Sequence, residues 1–198
     1  MKSRPWLIIG AFAALLGGGC ASVQSFRGVP VEGESLYVSG LPPIRKNARY
    51  ACGPACVAAV AGYWGVGMTE FRTRIANAPA DTTGKDLREM AEALGLLAFV
   101  FQGSLADLQD NLRQGRPVIV MLPKPPDPAL RRAGWLGAAA LALSEHVPHP
   151  PHWVVVIGIV GSQVVVHDPS AGQLQIESGT FLKWWARTDH LCVLLAGR

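Results

Sequence analysis

Two kinds of apolar pattern divide the chain. Up to about residue 115 the apolar residues recur at helical spacing. In "TTGKDLREMAEALGL", Leu87, Met90, Ala91 and Leu94 fall on one face of a helix, and the Leu-Gly pair closes it. "SLADLQDNLRQG" predicts another helix, with Ser104 and Asp107 in capping-box positions. "GMTEFRTRIANA" predicts a third, started by Thr69 as N-cap. Upstream of these, the Ala-rich run from Pro54 to Trp64 is helix-compatible and ends at Gly65, a natural C-terminal cap.

Beyond residue 115 the pattern changes to β-branched runs punctuated by Gly, Pro and Asp. "PVIVML" (117–122), "WVVVIGIV" (153–160), "SQVVVHD" (162–168), "GQLQIESG" (172–179) and the closing "HLCVLLAG" predict strands. Helices followed by a run of strands give an α+β class, with N-terminal helices packed on a C-terminal antiparallel sheet. One segment stands apart. The excursion 123–151 has prolines at both ends and an apolar, helix-prone centre, "WLGAAALALSEH". Loops of that length inside a domain are usually functional. It reads as a helix on the sheet, or as a lid or membrane-touching surface.

The first residues belong to a different physics. A basic start (Lys2, Arg4), the apolar run "WLIIGAFAALL" and the small residues "GGGC" describe a secretory signal peptide over residues 1–19. The run is short of the roughly 20 residues a spanning helix needs. "LLGGGC" resembles a bacterial lipobox, which implies lipidation of Cys20; Ala21 after it implies an outer-membrane lipoprotein facing the periplasm. Residues 20–40 then read as a tether and 41–198 as the domain, enough chain for a proper core.

Charge adds little. The formal net charge is +4, and loss of the signal removes Lys2 and Arg4. The remaining weak basicity gives no reason to expect nucleic acid as a partner. Export implies an oxidising compartment, yet Cys52, Cys56 and Cys192 are the only cysteines besides Cys20. An odd number leaves a free thiol or an intermolecular bond, which is not the arithmetic of a disulfide scaffold.

The chemistry concentrates in "YACGPACVAAVAGYWG", residues 50–65. Pro54 suits a helix's first turn, so Cys52 lies at the helix N-terminus, where the macrodipole lowers a thiol pKa. Cys56 lies one turn further in, among Ala and Val. A disulfide between the two would have to distort that turn. The pair lacks a second pair of ligands for zinc, although "HVPHPPH" (His146, His149, His152) could hold a metal incidentally. A nucleophilic thiol needs a base, and the base needs an orienting group. His152 begins one β-run and Asp168 ends the next. Paired antiparallel through "GIVGS", the two fall at the same end of the sheet. His146, His149, His167 and His190 are the competing histidines; His167, next to Asp168, belongs on the opposite strand face.

Taken together, "YACGPACVAAVAGYWG" and "HWVVVIGI…VVVHDPSAG" resemble the C39-type cysteine peptidases, a papain-like group. "GKDLREMAEALGLLAFVF" and "LRQGRPVIVML" follow in the expected order. The resemblance implies a papain-like fold from about Pro43 to the C-terminus and a hydrolase that needs no cofactor. It implies Cys52 as nucleophile, His152 as general base and acid, and Asp168 as the orienting group. The family's oxyanion Gln corresponds in position to Asn47, which offers the same amide on a stem one methylene shorter. The implied partner is a peptide or protein substrate cut after small residues such as Gly-Gly, the chain acting alone or with separately encoded export machinery. The alternative within the family is a weak or inert domain that binds peptide leaders.

Overall fold

A computed structural model describes residues 23–25, 35–47, 51–75, 78, 81–124 and 150–197. The signal segment, Cys20, His146, His149 and residues 125–149 lie outside the described residues. In chain order the elements are β1 (Val23–Ser25), β2 (Ser35–Tyr37), α1 (Cys52–Tyr63), α2 (Met68–Arg74), α3 (Gly84–Ala93), β3 (Leu97–Gln102), α4 (Leu105–Arg113) and β4 (Val118–Pro123). Then follow β5 (Pro151–Val160), β6 (Gln163–Asp168), β7 (Gly172–Glu177), α5 (Ser178–Ala186) and β8 (Leu191–Ala196).

The strands form one antiparallel sheet in the order β1-β7-β6-β5-β4-β8-β3, with β2 also paired to β5. β5 runs through its middle, and residues 152–159 are all buried. This explains why "HWVVVIGI" is continuously apolar rather than alternating: both faces of the strand are covered. Trp153, Val155 and Ile157 pack with α1, α2 and α3 on one face. Val154 and Val156 pack with Leu108 and Leu112 of α4 and Phe181 and Trp185 of α5 on the other. The β5–β6 register shifts between Val156 and Gly158. There β2 crosses so closely that a Cβ on Gly158 would lie 2.7 Å from the Tyr37 ring and 2.9 Å from the Leu36 carbonyl.

α1 is apolar on all sides and buried from Gly53 to Ala61, as expected of a helix with no solvent face. Its C-terminal end is pinned. Tyr63 Oη donates to the Gly115 carbonyl at 2.8 Å, and Trp64 Nε1 donates to the Leu195 carbonyl at 3.0 Å. α3 buries Leu87, Met90 and Ala91, the stripe read from the sequence. Capping boxes at Thr83/Asp86 and Ser104/Asp107 start α3 and α4, each satisfying two backbone N–H groups.

Several expectations are corrected. α2 is capped by Gly67, not Thr69; Thr69 lies inside the helix and its carbonyl accepts from Thr73 Oγ1 at 2.9 Å. The supposed tether contributes β1 and β2 to the sheet, strands too short to carry a readable period. α5, in part assigned to a strand, starts where the Glu177 carboxylate accepts from the N–H groups of Gly179 and Thr180. Residues 97–102, unassigned from the sequence, form the edge strand β3. The excursion is shorter than 123–151, because Pro123 and Pro151 are paired strand residues and Lys124 N–H donates to the Pro150 carbonyl at 2.9 Å.

Candidate active site

Cys52 is the first residue of α1, and its N-cap is Ala51, which has no side chain able to cap. The positive end of the helix therefore faces the Cys52 sulfur without a competing side-chain acceptor. The next position has to be glycine. A Cβ on Gly53 would fall 2.0 Å from Thr82 Oγ1 and 2.9 Å from Leu87 Cδ2. Thr82 is itself held, because its carbonyl accepts from Trp153 Nε1 at 3.0 Å. The segment before α3, the mouth of α1 and the start of β5 are thus in direct contact around Cys52.

His152 and Asp168 come from neighbouring antiparallel strands. On these strands Val154 and Val166 share the α4/α5 face, and His152 and Asp168 continue the same alternation to the strand ends. His152 Nε2 donates to Asp168 Oδ1 at 3.0 Å, with the residues only 5% and 2% exposed. Beneath them Val154, Val166, Leu174, Ile176 and Trp184 line an apolar crevice, which strengthens the pair by excluding water. Asp168 Oδ1 also accepts from the N–H groups of Ser170 at 2.6 Å and Ala171 at 3.3 Å, so the β6–β7 turn fixes the carboxylate. α1 packs on the opposite face of the sheet, but its first residue reaches this strand end. There the Cys52 thiol comes close enough to the His152 ring for the two to shift each other's titration. With Nε2 on Asp168, the ring nitrogen left for sulfur is Nδ1.

The electrostatics follow from these contacts. Burial works to raise the Cys52 thiol, but the hydrogen bond from His152, the N–H groups of Trp153 and Gly53 and the imidazolium charge outweigh it, so its pKa is lowered. For His152, burial opposes the charge, while hydrogen bonds to Asp168 and Cys52 and their negative charges raise its pKa to about 9. Burial raises Asp168, yet the bond from His152 and its charge, with the turn N–H groups, leave its pKa lowered. All three directions favour thiolate, imidazolium and carboxylate together. Cys56 behaves oppositely: it is fully buried, and burial together with the charges of Cys52 and Asp168 pushes its thiol well up. Its role is packing.

Asn47 is exposed and ends the described segment 35–47, four residues ahead of Ala51. That segment is tied to β6 and the turn after it. His167 Nε2 donates to the Ile44 carbonyl at 2.8 Å, and Lys46 N–H donates to the Pro169 carbonyl at 3.1 Å. His167 is on the α1 face, as the alternation of the strand requires, and His190 stacks edge-on against Trp185. Sequence reasoning missed the Thr82–Trp153 contact and the His167–Ile44 bond. The first had no local signal; the second was foreshadowed only by the orientation of His167.

The fold thus brings a cysteine at a helix mouth close to a histidine–aspartate pair at the end of an antiparallel sheet. The chain belongs to the Peptidase_C39 like family, whose sequence model matches residues 38–193. Its fold is that of solved C39 domains. The peptidase domain of Streptococcus ComA, a bi-functional ABC transporter involved in quorum sensing, aligns with a TM-score of 0.55 at 21% identity, covering 78% of this chain and 97% of that one. A structure assigned as a C39-like peptidase from Bacillus anthracis aligns at 0.61 and 15%, covering 84% and 99%. A double glycine motif protease from an AMS/PCAT transporter, solved with its leader peptide, aligns at 0.55 and 15%, covering 82% and 95%. No curated protein matches the chain.

Proposed function

We propose that this chain is a cysteine peptidase that hydrolyses peptide bonds through Cys52, His152 and Asp168. The observation that carries the reading is the chain of contacts from the α1 mouth through the His152 ring to Asp168, with Nε2 and Oδ1 3.0 Å apart. The Cys52 thiolate attacks the scissile carbonyl carbon and forms the C–S bond. The oxyanion takes hydrogen bonds from the Asn47 side-chain amide and the Cys52 backbone N–H. The imidazolium Nδ1–H protonates the leaving amine as the C–N bond breaks. His152, now neutral, takes a proton from water, which attacks the thioester. Collapse releases the acid and restores thiolate and imidazolium. Asp168 stays ionised throughout and keeps Nε2–H pointed away from sulfur.

The substrate is a peptide segment, with small residues such as Gly-Gly before the scissile bond; a similar double glycine protease was solved with a leader peptide. The sequence pattern ending at Cys20 supports lipidation there and action on the periplasmic side of the outer membrane. Alkyne-palmitate labelling that survives Cys20→Ala would remove the anchor from this account.

Labelling with iodoacetamide at neutral pH tests the chemistry. Cys52 is modified in preference to Cys192, whose thiol burial and the Asp107 charge push up to about 12, and His152→Ala suppresses the labelling. Equal labelling of both thiols, independent of His152, overturns the peptidase reading. Incubation with Gly-Gly peptides separates enzyme from binding domain. Binding without turnover, unchanged by Asn47→Gln, makes the chain a leader-binding member of the family.

A further inference from the structure

His167 is buried to 1% exposure, is titratable, and has no part in the chemistry described above. Its surroundings give it one. A carbonyl cannot donate, so the 2.8 Å contact with Ile44 places the ring proton on Nε2. One residue later Asp168 holds His152, and one residue after that the Pro169 carbonyl accepts from Lys46 N–H at 3.1 Å. The tripeptide His167-Asp168-Pro169 therefore grips the general base with its middle side chain. With its two flanking groups it grips the backbone that leads into Asn47.

We propose that His167 is a positioning residue for the oxyanion hole, its Nε2–H clamping Ile44 so that Asn47 is presented in fixed relation to the His152–Asp168 pair. This rests on the peptidase reading and on Asn47 as the amide donor. The clamp suits the distances an oxyanion hole demands: donors act only when held at about 3 Å from the developing charge, and a shift of about 1 Å can cost 10²-fold in rate. Asn has a shorter stem than Gln, so its backbone must be brought to the right place; it has less side-chain reach to compensate for drift. The ring is kept as a neutral donor. Burial lowers its pKa and the neighbouring Arg45 charge adds to that, overriding the bond to Ile44 and the Asp168 charge. An apolar residue at 167 would leave the Ile44 carbonyl without this donor.

Two rates separate positioning from general support, both measured on the full-length protein in detergent. Alkylation of Cys52 by iodoacetamide requires the thiolate–imidazolium pair but develops no oxyanion. The acylation burst with p-nitrophenyl acetate requires both. His167→Leu is expected to slow acylation by about tenfold or more while leaving alkylation within about twofold of wild type. His167→Gln, which restores an N–H donor of similar reach, recovers most of the loss. On an Asn47→Ala background His167→Leu has little further effect, because both changes remove one unit. If His167→Leu does not fold, His167→Asn makes the same cut, its amide being too short to reach Ile44.

Equal loss of alkylation and acylation, unchanged acylation, or additive effects with Asn47→Ala each overturn the positioning role. Wild-type protein that neither acylates nor alkylates selectively at Cys52 overturns the peptidase reading itself, a different and distinguishable failure.

Discussion

Asp168→Asn isolates the charge that organises the site. The substitution keeps the shape of the side chain and leaves a neutral amide oxygen to meet the 3.0 Å bond from His152 Nε2, removing only the negative charge. His152 stands at about 9 rather than its ordinary 6.5, a gap worth roughly 3 kcal/mol in favour of the charged ring. Asp168 and Cys52 both supply that preference against the opposing effect of burial, so removing Asp168 cancels a large part of it. Two pH profiles read the consequence. The thiolate–imidazolium pair exists above the Cys52 pKa and below that of His152, so wild-type turnover is bell-shaped with its alkaline limb near 9. In the variant the alkaline limb falls by at least about one pH unit, and the acid limb of Cys52 alkylation moves up as the thiolate loses its partner. The kcat/KM on a peptide substrate falls by roughly 10²–10⁴.

Stability changes with a definite sign. The folded pKa of Asp168 is lowered, so its contribution is present above its ordinary 3.8 and lost as pH falls through the folded value. That of His152 is raised, so its contribution is full below 6.5 and lost as pH rises through about 9. The Tm difference between wild type and Asp168→Asn is therefore larger at pH 5 to 6 than at pH 10. Coincident alkylation profiles, together with a turnover limb still near 9, would refute the reasoning, since another group would then be holding the ring.

Three further outcomes follow from the packing around Cys52. Gly53→Ala drives a Cβ into Thr82 Oγ1 and Leu87; thermal unfolding should show a loss of about 1–3 kcal/mol, and Cys52 alkylation should slow because the α1 mouth must shift. Trp153→Phe deletes the Nε1 donor to the Thr82 carbonyl, with an expected cost of about 1–3 kcal/mol in chemical denaturation for the unpaired acceptor. Cys56→Ala removes a buried thiol from the core; it should lower Tm while kcat/KM stays within about twofold of wild type. A fall comparable to that of Cys52→Ala would give Cys56 a part in the chemistry.

Much of the site was written in local patterns. Gly53-Pro54 after Cys52 is a helix-start signal, and it puts a thiol on the positive end of a dipole whatever the helix packs against. The runs ending at Val160 and starting at Gln163 are joined by so short a turn that they pair antiparallel. That alone brings His152 and Asp168 to one end, and strand alternation alone turns His167 away from Asp168. These inferences hold because helix starts, tight turns and strand faces depend on residues close in sequence.

The rest depended on contacts between distant residues. β1 and β2 are three residues each, too short for any period, and are strands only because β7 and β5 offer edges to pair with. β3 was hidden because its partner β8 lies at the far end of the chain. α5, "SGTFLKWWA", starts with Ser, Gly and Thr after a β-run, and is a helix because Glu177 caps it and Phe181 and Trp185 are buried against the sheet. Gly53 looked like part of a helix-start motif; only the approach of Thr82 shows that no side chain fits there. The bond from His167 to Ile44, across 123 residues of sequence, was likewise decided by tertiary structure, since periodicity reports which way a side chain points but not what it meets.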